Sequence, residues 1–209
     1  MSKYNRSLAG VKWNFAINNI IHGIQICQLI LFARFLTPDD FSIIGIVVPL
    51  IAAFFLISEL GFGAGLIQKS TDRIEEYASS VLIVMLITSV IIGAALIVSA
   101  DAIATFYFLD ELNYLLYFVA IVLVIKVYSS IITSLVIRNM DYKRESVGRL
   151  IGTIFSFLVA IFVLLNYRSY WAAVLVYLVS PLVSTCFLLI KLKYTRIKMR
   201  FSLKHFSEI

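Results

Sequence analysis

Five polar side chains stand at helical spacing near the start of this sequence. Asn14, Asn18, His22, Gln25 and Gln28 are separated by four, four, three and three residues. At about 100° per residue they share an arc of roughly 120° on one helix face. Amide and imidazole groups in that pattern bond to hydroxyls, to water or to each other, and they are costly against hydrocarbon. Two readings are open. The stripe is the wall of a water-filled cavity, the preferred one, or it is a hydrogen-bonded seam against another helix. Lys126 is a second candidate, because it stands alone as a cation inside the apolar run Tyr114–Ile137. It lies 12 residues past Tyr114, or about 18 Å along a helix, too deep to reach either surface easily. Such a lysine costs about 2.5–3.5 kcal/mol to insert and faces a bundle interior or a cavity. The competing readings are a neutral or hydrogen-bonded lysine that serves packing, or one paired with an acid from outside this chain. Arg34 and Glu59 stand near the ends of the first two apolar runs. There an arginine can snorkel to the interface, and a glutamate can pair with a basic neighbour.

Catalytic constellations are missing from the sequence. Gly61, Gly63 and Gly65 resemble a phosphate loop only superficially, because Leu66 occupies the last glycine position of a dinucleotide fingerprint. His22 and His205 are far apart, so a histidine metal cluster is not expected. No Gly-x-Ser-x-Gly elbow or HExxH helix occurs. Cys27 and Cys186 both lie inside apolar runs and read as small buried residues rather than a disulfide or metal pair. Neither an enzymatic activity nor a cofactor is expected.

The elements that must carry these groups follow from composition. The 209 residues are 61% hydrophobic and only 14% charged, with a mean hydropathy of +0.97, well beyond a soluble domain. The apolar residues form blocks at approximately Val11–Phe35, Phe41–Leu60, Ala78–Ala100, Tyr114–Ile137, Val147–Leu165 and Tyr170–Ile190. Each is close to the roughly 20 residues that a helix needs to span a bilayer. Continuous apolar runs exclude a β-barrel, whose strands alternate. The expected fold is therefore all-α and integral to the membrane, with about six transmembrane helices. Thr37-Pro38-Asp39-Asp40 separates the first two, with proline placed to open a helix. The first block carries too many amides for a signal-peptide core and is expected to be a retained span. In the fifth, Gly148, Gly152 and Ser156 form a ladder of small residues that permits close helix packing. Trp13, Tyr114, Tyr167, Tyr170 and Trp171 lie where interfacial anchors are found.

Charge sets an expected orientation. Fifteen of the eighteen basic residues flank alternate ends of the spans: the N-terminus, Lys69 and Arg73, the segment Arg138–Arg149, and the C-terminal tail. Those ends are expected to be cytoplasmic. The opposite ends hold Asp101, Asp110 and Glu111 in an outer loop without a basic residue. The net charge of +6 thus reads as topology, not as a nucleic-acid surface. The tail Met199–Ile209 alternates apolar and basic residues and is suited to the inner membrane surface.

Four segments carry a family resemblance. Phe32-Ala33-Arg34-Phe35-Leu36-Thr37-Pro38-Asp39-Asp40-Phe41 resembles the first loop of the Wzx-like oligosaccharide flippases, members of the multidrug/oligosaccharidyl-lipid/polysaccharide exporter superfamily. Ser42 replaces the glycine usual in that loop. Ser58–Gln68 is similar to the family's acidic-Leu-Gly segment ending in Ile-Gln. Arg138–Arg144 stands at the expected place after the fourth span, and Met199–Ile209 resembles the basic linker before a seventh. Together these cover nearly the whole chain.

The resemblance implies one lobe of a two-lobe flippase fold, with residues 1–190 as a six-span lobe and 191–209 as a basic cytoplasmic linker. The chain is then expected to be a fragment that lacks its second lobe; the alternative is that two copies or a separate partner chain complete the cavity. The implied function is transfer of a polyprenyl-diphosphate-linked oligosaccharide from the inner to the outer leaflet of a bacterial inner membrane. Such transfer feeds a surface polysaccharide such as O-antigen, lipopolysaccharide or capsule. The implied substrate contacts are Lys126 and Arg34 for charge, and His22, Asn18 and Gln25 for polar groups. Competing classes are a non-transporting membrane scaffold of polysaccharide assembly and an exporter of another amphiphile. A scaffold has no need of the polar stripe or of Lys126, and a cation-coupled drug exporter more often carries acids within its spans.

Overall fold

The computed structural model describes residues 3–59 and 74–191. Among them are six α-helices: α1 (Lys3–Phe35), α2 (Pro38–Glu59), α3 (Ile74–Tyr107), α4 (Glu111–Arg138), α5 (Tyr142–Tyr167) and α6 (Trp171–Lys191). All six contain a stretch long and apolar enough to cross a bilayer, from 20 residues in α6 to 30 in α3. The expected six-span all-α architecture is what the structure shows. The glycine-rich segment 61–65, the flanking Lys69 and Arg73, and the tail beyond Lys191 lie outside the described residues.

The helices outrun the hydropathy blocks. α1 begins at Lys3 rather than Val11, and α3 continues seven residues past Ala100. Asp101 is therefore helical, not part of an open loop, and the α3–α4 connection shrinks to 108–110. The reason is that hydropathy marks where hydrocarbon ends, while a helix ends where its last carbonyls find other donors. Each of three short connections uses one non-glycine residue in the left-handed region: Phe108, Met140 and Arg168, with φ of 55°, 56° and 47°. The Arg168 N–H closes α5 by donating to the Leu164 carbonyl at 3.2 Å.

Helix starts are capped from the sequence itself. The Asp40 carboxylate accepts from the Thr37 N–H at 2.9 Å and from Thr37 Oγ1 at 2.7 Å. Thr37 Oγ1 in turn accepts from the Asp40 N–H at 3.3 Å. This reciprocal box, with Pro38 in the first helical position, opens α2. Asp141 caps α5 by accepting from the Arg144 N–H at 3.3 Å. Inside the spans, hydroxyls turn back on their own helices: Ser58 donates to Phe54 O, Thr88 to Val84 O and Thr153 to Arg149 O. Such bonds satisfy these hydroxyls within their own helix.

The chain divides into two compact units. The first comprises Met1–Gly45 and Leu135–Lys191. In it α5 packs against both α6 and α1. The small-residue ladder closes the α5–α6 contact: a Cβ on Gly148 would lie 3.2 Å from Leu188, and Gly148, Gly152 and Ser156 are all buried. Towards the other end, Phe32 of α1 and Leu36 just after it form an apolar cluster with Ala160 and Leu164 of α5 and Ala172 and Ala173 of α6.

Within the described residues, the second unit falls in Ile46–Ser134. Its described part holds most of α2, α3 and α4. More than half of the apolar window of α4 is buried, the largest share of the six helices. Leu112, Leu115, Leu116, Val119, Leu123 and Val127 are all at 0% exposure on its packed side. Gly93 of α3 lies against Ala120 of α4, where an added Cβ would be 3.3 Å from the alanine methyl. Past that contact Asn113 donates to Asp101, tying the last turns of α3 to the first turn of α4.

Candidate functional site

The polar stripe of α1 divides along its length. Asn14 and Asn18 are half-buried, and both face α5. His22 and Gln25 are exposed and bond to each other, with His22 Nδ1 3.1 Å from Gln25 Oε1. Gln28 is buried again, at 8% exposure. The seam reading thus describes the lower end of the stripe, while His22 and Gln25 present free polar surface at mid-helix. They stand at the middle of the apolar stretch Trp13–Phe35, where polar groups turn towards protein or water rather than lipid.

What receives Asn14 and Asn18 is a pair of charges on α5. Arg149 Nε lies 2.7 Å from Glu145 Oε1, one turn back on the same helix. One terminal nitrogen of Arg149 donates to Asn14 Oδ1 at 3.0 Å and to Asn18 Oδ1 at 2.9 Å. Ser146 Oγ donates to Asn14 Oδ1 at 2.9 Å. Glu145 is 5% exposed, so the pair is an acid sunk in the helix interface beneath a half-exposed guanidinium. Nearby, Lys143 Nζ sits 4.8 Å above the Trp13 ring. Arg144 donates to the Leu188 carbonyl at 2.9 Å, a cation on the last carbonyls of α6. The segment Lys143–Arg149 therefore holds α1 with one set of side chains and α6 with another.

Counting charges for orientation treats Arg149 as one more flanking cation and overlooks Glu145. The signal that finds them is spacing. Glu145 and Arg149 are an i, i+4 pair, and so are Asn14 and Asn18.

Lys126 belongs to the second unit, on α4. It is half-buried, and its ammonium lies 4.4 Å from the centroid of the Phe55 ring of α2. An aromatic face is a weak partner for a cation, of about 0.5–2 kcal/mol. Arg34 is exposed in the last turn of α1, where a cation is favoured by the carbonyl end of the helix. Glu59 closes α2, and its side chain lies outside the described residues. Among the described residues no cluster of three metal-ligating side chains occurs.

Comparison with known proteins agrees with this architecture. A family profile described as polysaccharide biosynthesis protein matches residues 31–209. The succinoglycan biosynthesis transport protein ExoT of Rhizobium meliloti (strain 1021) is 21% identical over 173 residues, covering 83% of this chain and 35% of ExoT. The teichuronic acid biosynthesis protein TuaB of Bacillus subtilis (strain 168) is 30% identical over 118 residues, covering 56% of this chain and 24% of TuaB. The match thus spans 35% or less of either relative's length. No solved structure matches the chain at a significant level. With its six apolar helices, the chain belongs to the polysaccharide biosynthesis and export family and is a multi-pass membrane protein.

Proposed function

We propose that this chain forms one six-helix lobe of a flippase for polyprenyl-diphosphate-linked oligosaccharides, moving them from the inner to the outer leaflet of a bacterial inner membrane. The observation that carries the reading is the His22–Gln25 pair, exposed halfway along an apolar span. A helix that only anchors or scaffolds has no reason to display such groups there. A path for a hydroxyl-rich headgroup does. In this reading His22, Gln25 and Asn18 contact sugar, and Lys126 is the point charge that meets the diphosphate. Arg34 receives or releases the anion at the outer interface. The basic segments are cytoplasmic, as are both termini. A second lobe or partner chain covers the polar face, consistent with the fraction of each relative that the chain spans.

The test is reconstitution. The complete protein in vesicles moves a labelled polyprenyl-diphosphate oligosaccharide to the opposite leaflet, whereas residues 1–209 alone do not restore surface polysaccharide in a flippase-deficient host. Absence of movement by the complete protein would favour a scaffold, and movement of other amphiphiles at equal rate would favour a general exporter. Restoration by residues 1–209 alone would overturn the two-lobe reading.

A further inference from the structure

The Arg149 guanidinium does something that the apolar contacts of α1 cannot. Ile17, Ile21, Phe32 and Leu36 are buried, but burial of aliphatic surface is non-directional and tolerates rotation of one helix on another. The hydrogen bonds do not. Asn14 and Asn18 are one turn apart, and the same nitrogen of Arg149 reaches both at 3.0 and 2.9 Å. A slip of α1 by one residue turns its face by about 100° and carries both amides out of reach. Glu145, buried beneath, fixes the guanidinium from the other side at 2.7 Å, and Ser146 adds a second donor to Asn14 at 2.9 Å. A forked contact of this kind sets rotation and axial register together, as single buried polar residues do between paired helices.

We infer that Arg149 is a positioning residue: through Asn14 and Asn18 it sets the rotation of α1 that holds His22 and Gln25, on the same arc, at the open edge of the α1–α5 contact. His22 lies one turn beyond Asn18, and Gln25 nearly one further. Their presentation is therefore inherited directly from the two asparagines. With the fork gone, α1 keeps apolar surface against α5 but samples rotations that carry His22 and Gln25 from that edge and turn Ile20 and Ile30, on the opposite face, towards it. The inference rests on the reading of His22 and Gln25 as a water-facing surface.

The experiment uses the full-length protein in membranes, with Cys27 and Cys186, both exposed, first replaced by alanine. Single cysteines are placed at His22 and Gln25, and at Ile20 and Ile30, which are 52% and 60% exposed on the opposite face. Alkylation by a small hydrophilic thiol reagent is then timed, because only a hydrated thiol ionises and reacts. With the fork intact, positions 22 and 25 react at least about tenfold faster than 20 and 30. In Asn14→Leu/Asn18→Leu, which leaves the Glu145–Arg149 pair whole, the contrast falls to about threefold or less. Glu145→Gln/Arg149→Gln, which removes the pair without leaving a lone buried charge, gives the same loss. An unchanged contrast in both double variants overturns the inference and leaves the flippase reading standing. Unreactive cysteines at 22 and 25 with the fork intact overturn the water-facing surface, and the positioning role falls with it.

Discussion

Gly152 of α5 lies so close to the Ser180 carbonyl of α6 that an added Cβ would be 2.5 Å from the oxygen. Two helix backbones meet there with nothing between them but hydrogen. Pro181 follows immediately in α6. It cannot donate to the carbonyl four residues earlier, so the helix is open to bending at the point of contact. Between α5 and α6 this close approach adds to the Arg144–Leu188 bond, whereas the neighbouring α1–α5 pair is held at one end by the Arg149 fork.

Gly152→Ala should therefore be far more damaging than its size suggests. The neighbouring atom is backbone and cannot swing aside, so overpacking of about 1–3 kcal/mol is expected. Gly45→Ala is the control, since nothing lies within 4 Å of a Cβ there. It should be neutral or stabilising by up to about 1 kcal/mol through helix propensity. Thermal unfolding of the two variants in the same detergent checks the difference, and equal midpoints would mean that α5 and α6 are not closely packed.

The orientation can be read by labelling at positions the structure exposes. Single cysteines at Asp110 and Tyr167 should react with an impermeant thiol reagent added outside intact cells, and one at Met140 should not. Ser146 is unsuitable as an inner reporter, because it is fully buried and bonded to Asn14. The reverse labelling pattern would invert the topology and with it the direction of transport.

Lys126 is expected to be needed as a charge and not as a filler. In the complete protein Lys126→Gln and Lys126→Ala should lower flipping at least about tenfold, while Lys126→Arg keeps a measurable part, since a cation remains for the diphosphate. Phe55→Leu removes the aromatic face, worth about 0.5–2 kcal/mol, and should have the smaller effect. Full flipping by Lys126→Gln at normal protein level would take the lysine off the substrate path.

The spans were legible because hydrocarbon imposes a length and a composition that few other settings demand. The break before α2 was legible too, from Pro38, whereas the Thr37–Asp40 box that caps it came with the structure. Also legible was the packing role of Gly148 and Gly152, where lack of a side chain is the whole signal. The fate of the polar stripe was not. Spacing places Asn14 and His22 on one arc, but which of them meets a partner depends on α5, more than a hundred residues away in sequence. Arg149 and Glu145 were hidden for a related reason. A hydropathy count assigns each charge to water one at a time, and a pair that neutralises itself within a helix breaks that assumption.

The length of α3 has a consequence for the surrounding lipid. The part of α3 able to lie in the membrane runs 30 residues, from Ala78 to Tyr107 with Asp101 in its last two turns, or about 45 Å against a hydrocarbon core of about 30 Å. α6, with a stretch of 20 residues, fits that core upright. The two helices therefore ask for different membranes. A thin bilayer leaves Phe106 and Tyr107 wetted or forces α3 to lean, and a thick one draws their rings into the headgroup layer. Lipid chain length thus becomes a load applied unequally across this fold, with α3 as the element that feels it first.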